Sequence, residues 1–145
     1  MIMNETSIER VHDFLSSIPR HRLIICRVNP SPNHQPINLG YELAKRLTIT
    51  DKRDNISYDA AQIVDDIFNK ATTKDDVYGD FVIIENIGIL FEPKLNLNPT
   101  TVLSKHSKHK TVFLIWKECC DRDSLFYKHD SNYRLDLSNI SHVCI

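Results

Sequence analysis

Three near-continuous apolar runs punctuate the chain: RLIICRV at 22–28, FVIIEN at 81–86 and TVFLIW at 111–116. Rich in β-branched and aromatic residues, they have the character of strands buried on both faces, as in a parallel sheet. Elsewhere the apolar residues recur at helical spacing. Over 5–17 a stripe of Ile8, Val11, His12, Leu15 and Ile18 predicts a short helix, with Thr6 or Ser7 placed to cap it and Pro19 to end it. Leu43, Ala44 and Leu47 share one face of a second helix over 41–47, after a very short strand at 37–39. The clearest periodicity is Ile56, Ala60, Ile63, Val64, Ile67 and Phe68, which predicts a helix from 56 to 71. Ser57 stands at its expected N-cap, and Asp59, Asp65, Asp66 and Lys70 form an expected solvated face.

Between the second and third runs lie the loop GILFEPKLNLNPTT and a short basic helix, VLSKHSKHK at 102–110, which together make a parallel βαβ unit. TITDKRDN reads as a polar link, ATTKDDVYGD and KECCDRDS as loops, LFYKHDSNYRLDLSN as irregular or a short hairpin, and ISHVCI as a closing strand. The pattern predicts one domain, 1–145: an α/β fold of three layers with a mostly parallel sheet and an N-terminal helix. The link NPSPNHQP is too short for a parallel crossover, which needs about a dozen residues. The strands it joins must be antiparallel, or not neighbours.

Composition adds few constraints. A net charge of −1 supplies no global field toward nucleic acid or an anionic membrane, so a nucleic-acid role would rest on a local patch. With no apolar run near the length of a membrane span and no basic-then-apolar start, the expectation is a cytoplasmic protein with no membrane contact. Cys26, Cys119, Cys120 and Cys144 fit no zinc spacing. His106 and His109 stand at i, i+3 without a placed third ligand, so no metal site is expected and the basic helix face reads as solvated.

Glu85 and Asn86 follow four apolar residues, where an open α/β sheet presents its carboxyl edge to ligands. A carboxylate there is what a nucleoside triphosphatase uses, as its Walker B acid, to hold magnesium. The partner signal, G-x-x-x-x-G-K-[ST], is absent; the glycines are Gly40, Gly79 and Gly88, none of them before Lys-Ser or Lys-Thr. The densest positive segment, Lys105, His106, Lys108, His109 and Lys110, offers phosphate or nucleic-acid contact candidates in Lys105, Lys108 and Lys110. Tyr78, Tyr127 and Tyr133 read as edge-of-core residues rather than base-stackers.

About two-thirds of the chain resembles the small P-loop-containing BrxF-like proteins of type 3 BREX phage-defence systems. The resemblance rests on Asn38 before a Leu-rich helix from Leu43 to Leu47, and on the Glu85-Asn86 pair before Leu90, Phe91, Glu92 and Pro93. It continues through Pro99 ahead of a helix ending at Ser107, Lys108, His109, Lys110 and Thr111, and a strand ending in Trp116. Family members carry a glycine-rich phosphate loop and its helix where this chain has NPSPNHQP, arginines at the positions of Lys108 and Lys110, and Asp at that of Glu85. Lysine lacks the planar fork that grips a phosphoryl group bidentately.

The resemblance implies a truncated P-loop-NTPase-like sheet in a non-catalytic subunit or adaptor of an anti-phage system. Its partners would be other BREX defence proteins, it would have no resident cofactor, and Glu85 and Asn86 would be vestigial. Two alternatives stand beside this. One is an NTP-binding protein that takes ATP and magnesium through an atypical loop, with Glu85 and Lys108 or Lys110 as working residues. The other is a module that binds DNA through the basic helix. Loss of a helix from one sheet face would leave apolar surface bare, which predicts a homodimer or a stable partner as cover.

Overall fold

In a computed structural model that describes residues 3–49, 56–127 and 130–145, the expected α/β architecture is present. The elements in chain order are α1 (Glu5–Ser16), β1 (Leu23–Cys26), β2 (Ile37–Asn38), α2 (Leu39–Ile49), α3 (Ile56–Ala71), β3 (Thr73–Asp75) and β4 (Gly79–Glu85). Then come two 3₁₀ turns (Gly88–Phe91 and Pro93–Leu95), α4 (Pro99–Ser107), β5 (Thr111–Ile115), β6 (Cys119–Cys120), β7 (Ser124–Tyr127), β8 (Asp130–Asp136) and β9 (His142–Cys144). The main sheet runs β2-β4-β5-β1-β9, all parallel, with β3 added antiparallel to β4. This layout is compatible with a Rossmann-like or P-loop-like arrangement.

Alternation along the strands sorts the core into two layers. Leu23, Ile25, Val82, Ile84, Val112 and Leu114 point to the face covered by α2, α3, α4 and the β6-β7-β8 sheet. Ile24, Cys26, Phe81, Ile83, Phe113 and Ile115 point to the other face, where Val11, Phe14 and Leu15 of α1 pack. That second face is not bare: its six strand residues are all buried. The link 27–36 supplies part of the cover, with the His34 ring edge-on to Phe81 at 5.2 Å. The bare sheet face expected to draw a homodimer or partner is therefore absent among the described residues.

The short link also explains the width of β2. Only two residues of β2 pair, Ile37 with Ile84 and Asn38 with Glu85, at the carboxyl end of β4. A strand confined to that level can be reached sideways along the sheet edge without a full crossover, and β1 and β2 are indeed not neighbours.

Several local readings are corrected. Asn4, not Thr6 or Ser7, caps α1, its Oδ1 accepting from Ser7 N at 2.8 Å. Ile18 is not part of the buried stripe: it follows the helix at φ 53° and is 88% exposed. Ser57 lies inside α3 rather than at its cap, since the helix already runs from Ile56. The helix of the βαβ unit begins at Pro99, capped by Asn98 through Thr101 N at 3.2 Å, and ends at Ser107, so Lys108 to Lys110 form a turn. Part of ATTKDDVYGD pairs as β3 with the start of β4, and part of KECCDRDS as β6. Most of the link TITDKRDN lies outside the described residues.

Candidate functional site at the carboxyl edge

Parallel strands β4, β5 and β1 end side by side, so their next residues converge on one edge. There Glu85, Arg27, Asn29 and Lys117, with Val28, Pro36 and Ile115, line a cleft of about 530 Å³. Arg27 donates through Nη2 to the Lys117 carbonyl oxygen at 3.1 Å, which holds the two basic residues together. Among the described residues Glu85 is the one carboxylate of the lining, and it is half-buried.

Asn86, the other residue singled out in the sequence, has a different job. It stands at φ 58°, in the left-handed region that Asn tolerates better than most residues. From there its Nδ2 donates to Asn38 Oδ1 at 2.8 Å, and its carbonyl oxygen accepts from Gly40 N at 3.0 Å. Asn38 Oδ1 also accepts from Tyr41 N at 3.0 Å, capping the first turn of α2. A Cβ on residue 40 would sit 2.7 Å from Asn86 Nδ2 and 3.1 Å from its carbonyl oxygen, so any side chain there forces Asn86 or α2 to shift. Asn38, Gly40 and Asn86 thus form a latch that ties α2 to the end of β4. The two Asn signals noted separately in the sequence are one hydrogen-bonded unit.

A phosphate site on this edge would need free backbone N–H groups aimed at the ligand. In the link 29–36, Pro30, Pro32 and Pro36 have none. Ser31 N donates to Asn29 Oδ1 at 3.0 Å, and His34 N donates to the Ser31 carbonyl at 2.9 Å. Asn29 Nδ2 reaches the His34 carbonyl at 2.9 Å, and Ser31 Oγ and His34 Nδ1 share a bond of 2.7 Å. The backbone donors of Ser31 and His34 are thus spent inside the turn. Three prolines and two bonded amides leave the turn few N–H groups for a phosphate.

The basic segment is not brought to this edge. Lys110 precedes Thr111, which pairs with Phe81, whereas Glu85 follows Ile84, which pairs with Leu114. Five residue steps at about 3.3 Å each put the two levels roughly 17 Å apart along the strands. Nor is the segment one solvated face. Lys105 Nζ pairs with Asp65 Oδ2 at 2.6 Å, and His106 Nε2 bonds Asp65 Oδ1 at 2.9 Å. The His106 ring stacks on Phe68 at 4.1 Å and is buried. Burial holds it below the ordinary histidine value in spite of the opposing pull of Asp65, so the ring is neutral and donates.

Lys110 is only 7% exposed; its Nζ donates to Thr72 Oγ1 at 2.8 Å and Asn69 Oδ1 at 3.1 Å, and burial lowers its pKa. Only Lys108 and His109 of the segment are exposed without an ion-pair partner among the described residues. The acidic side of α3, expected to be merely solvated, supplies those tethers, and its Asp66 pairs with Arg46 at 2.6 Å. Cys26 is a buried thiol, pushed up to about 12 by its burial.

One site escaped the sequence reading. Tyr127 and Tyr133 meet Phe91 beside a cavity of about 680 Å³ between α2, the 3₁₀ turns and the small antiparallel sheet. Phe91 lies far from the two tyrosines in sequence, and the pairing of β7 with β8 brings the tyrosines to one wall. No family model matches the chain, and no curated protein or solved structure matches it.

Proposed function

We propose that the chain is a non-catalytic subunit or adaptor of a BREX-type anti-phage defence system, built on a P-loop-like α/β scaffold that has lost its phosphate loop. The observation that carries this reading is the proline-rich turn at 29–36, where Pro30, Pro32 and Pro36 lack an N–H and the N–H groups of Ser31 and His34 are bonded inside the turn, at the place where a phosphate cradle would lie. Beside it, Asn86 is engaged in holding α2, and Lys108 and Lys110 stand at the opposite end of β5 from Glu85. What remains at the edge is a rigid platform with two cations and one carboxylate. That surface suits contact with a protein partner better than hydrolysis. On this reading the partners are the other defence proteins of the system, met in the cytoplasm.

The test is affinity purification of the tagged chain from cells that express it with its neighbouring genes, alongside a phage plaquing assay. Recovery of defence components and loss of protection on deletion support the reading. Failure to recover any of them, or protection that survives deletion, overturns it.

A further inference from the structure

The aromatic cavity calls for a ligand of definite chemistry. Its 680 Å³ falls within the range of ligand sites, and Leu47 of α2 and Leu95 of the second 3₁₀ turn contribute apolar lining. Phe91 lies 5.5 Å from Tyr133 at an interplanar angle of 55°, and 6.4 Å from Tyr127 at 73°. Trp116 backs Tyr127 at 5.0 Å and 57°. Rings inclined in this way make the walls of a cage; a flat base would need two parallel rings to sandwich it. A compact cation, by contrast, is attracted by several ring faces at once.

The charge at the rim agrees. Glu92 and Glu118 both line the cavity, are exposed, and have no ion-pair partner among the described residues, against one lysine, Lys94. Glu118 is close enough to raise the Tyr127 phenol, after burial, above the ordinary tyrosine value. The Tyr127 hydroxyl lies over Gly88, where an added Cβ would meet it at 3.1 Å, so the backbone is kept low under that wall.

We infer that this cavity binds a short protein segment through a basic side chain, arginine or lysine, held among Phe91, Tyr127 and Tyr133 and paired with Glu118. The cavity is far larger than one ammonium or guanidinium group, and its leucines match an apolar neighbour on the same segment. The identity of the partner rests on the adaptor reading above; the chemistry of the pocket does not.

The test uses the whole chain and the tripeptides acetyl-Leu-Arg-Leu-amide, acetyl-Leu-Lys-Leu-amide and acetyl-Leu-Gln-Leu-amide. Fluorescence of Trp116, the single tryptophan, is the readout. At least one basic peptide should titrate to saturation, and the glutamine peptide should bind about tenfold more weakly or not at all. Two exposed variants, Glu118→Gln and Tyr133→Leu, should keep the circular dichroism of the wild type and weaken the basic peptide about fivefold each. Equal binding of the glutamine peptide, no binding of either basic peptide, or unchanged affinity in both variants overturns the inference. Recovery of defence proteins together with failure of the peptides would remove the pocket and keep the adaptor. Peptide binding without any recovered partner would do the reverse.

Discussion

Substituting Gly40 by alanine separates the latch from ordinary helix propensity, because the two predict opposite signs. Gly40 lies in α2, and an alanine inside a helix gains up to about 1 kcal/mol over glycine. The added Cβ, however, would meet Asn86 Nδ2 at 2.7 Å and its carbonyl oxygen at 3.1 Å. Either Asn86 rotates and gives up its 2.8 Å bond to Asn38, or α2 shifts and stretches the 3.0 Å bond from Gly40 N. The lost bond costs about 0.5–1.5 kcal/mol and the strain of overpacking about 1–3 kcal/mol. The net expectation is a loss of about 1–2 kcal/mol, or roughly 3–6 °C in Tm for a chain of this size. Urea unfolding followed by circular dichroism measures it. A double-mutant cycle sharpens the result: in an Asn86→Gly background the clash with Nδ2 is gone, so the cost of Gly40→Ala should fall by about 1 kcal/mol. A neutral or stabilising Gly40→Ala, or additive effects in the cycle, would refute the latch.

Two further outcomes follow from the buried basic residues Lys110, His106 and His21. Lys110→Ala should destabilise by about 1–3 kcal/mol through lost packing and two lost hydrogen bonds, and Lys110→Met should recover most of that. Neither should alter DNA mobility in a gel at moderate salt; a fall in DNA affinity in the methionine variant at unchanged stability would return Lys110 to a nucleic-acid surface. Acid should also weaken the fold. Burial lowers both His106 and His21, the latter also facing Lys108 and Arg20, so the unfolded chain takes up protons near pH 6.5 that the native state does not. Stability should therefore fall from pH 7.5 to 5.5 and rise again with pH, and His106→Phe, which can keep the stack on Phe68, should flatten the slope. Equal or greater stability at pH 5.5 would contradict it.

The buried strands and α3 were legible because their signals are local: β1, β4 and β5 are continuous apolar runs, and α3 repeats its apolar residues at a steady spacing. What the sequence hid was decided by tertiary pairing. β3 is a polar edge strand, Thr73–Asp75, whose turn into β4 uses Gly79 at φ 69°, and neither feature stands out from a surface loop. Lys110 and His106 looked solvated because charge is usually outside, yet partners one helix away keep them in. The opposite charges on α3 and α4, Asp65 facing Lys105 and His106, were the signal that would have revealed the tether. Glu85 was placed correctly at the carboxyl edge of β4, whereas the role of Asn86 depended on its left-handed backbone and on Gly40, which no spacing along the chain discloses.

The central claim is that the turn at 29–36 has closed the place of a phosphate loop. Titration of MgATP into the whole chain, read by calorimetry and by the thermal midpoint, tests it most directly. A ligand at a hundred times its dissociation constant would add about 2.7 kcal/mol, a shift of several degrees. No saturable heat and no shift are expected at millimolar MgATP, with the wild type and Glu85→Ala alike. Saturable binding that disappears in Glu85→Ala would contradict it.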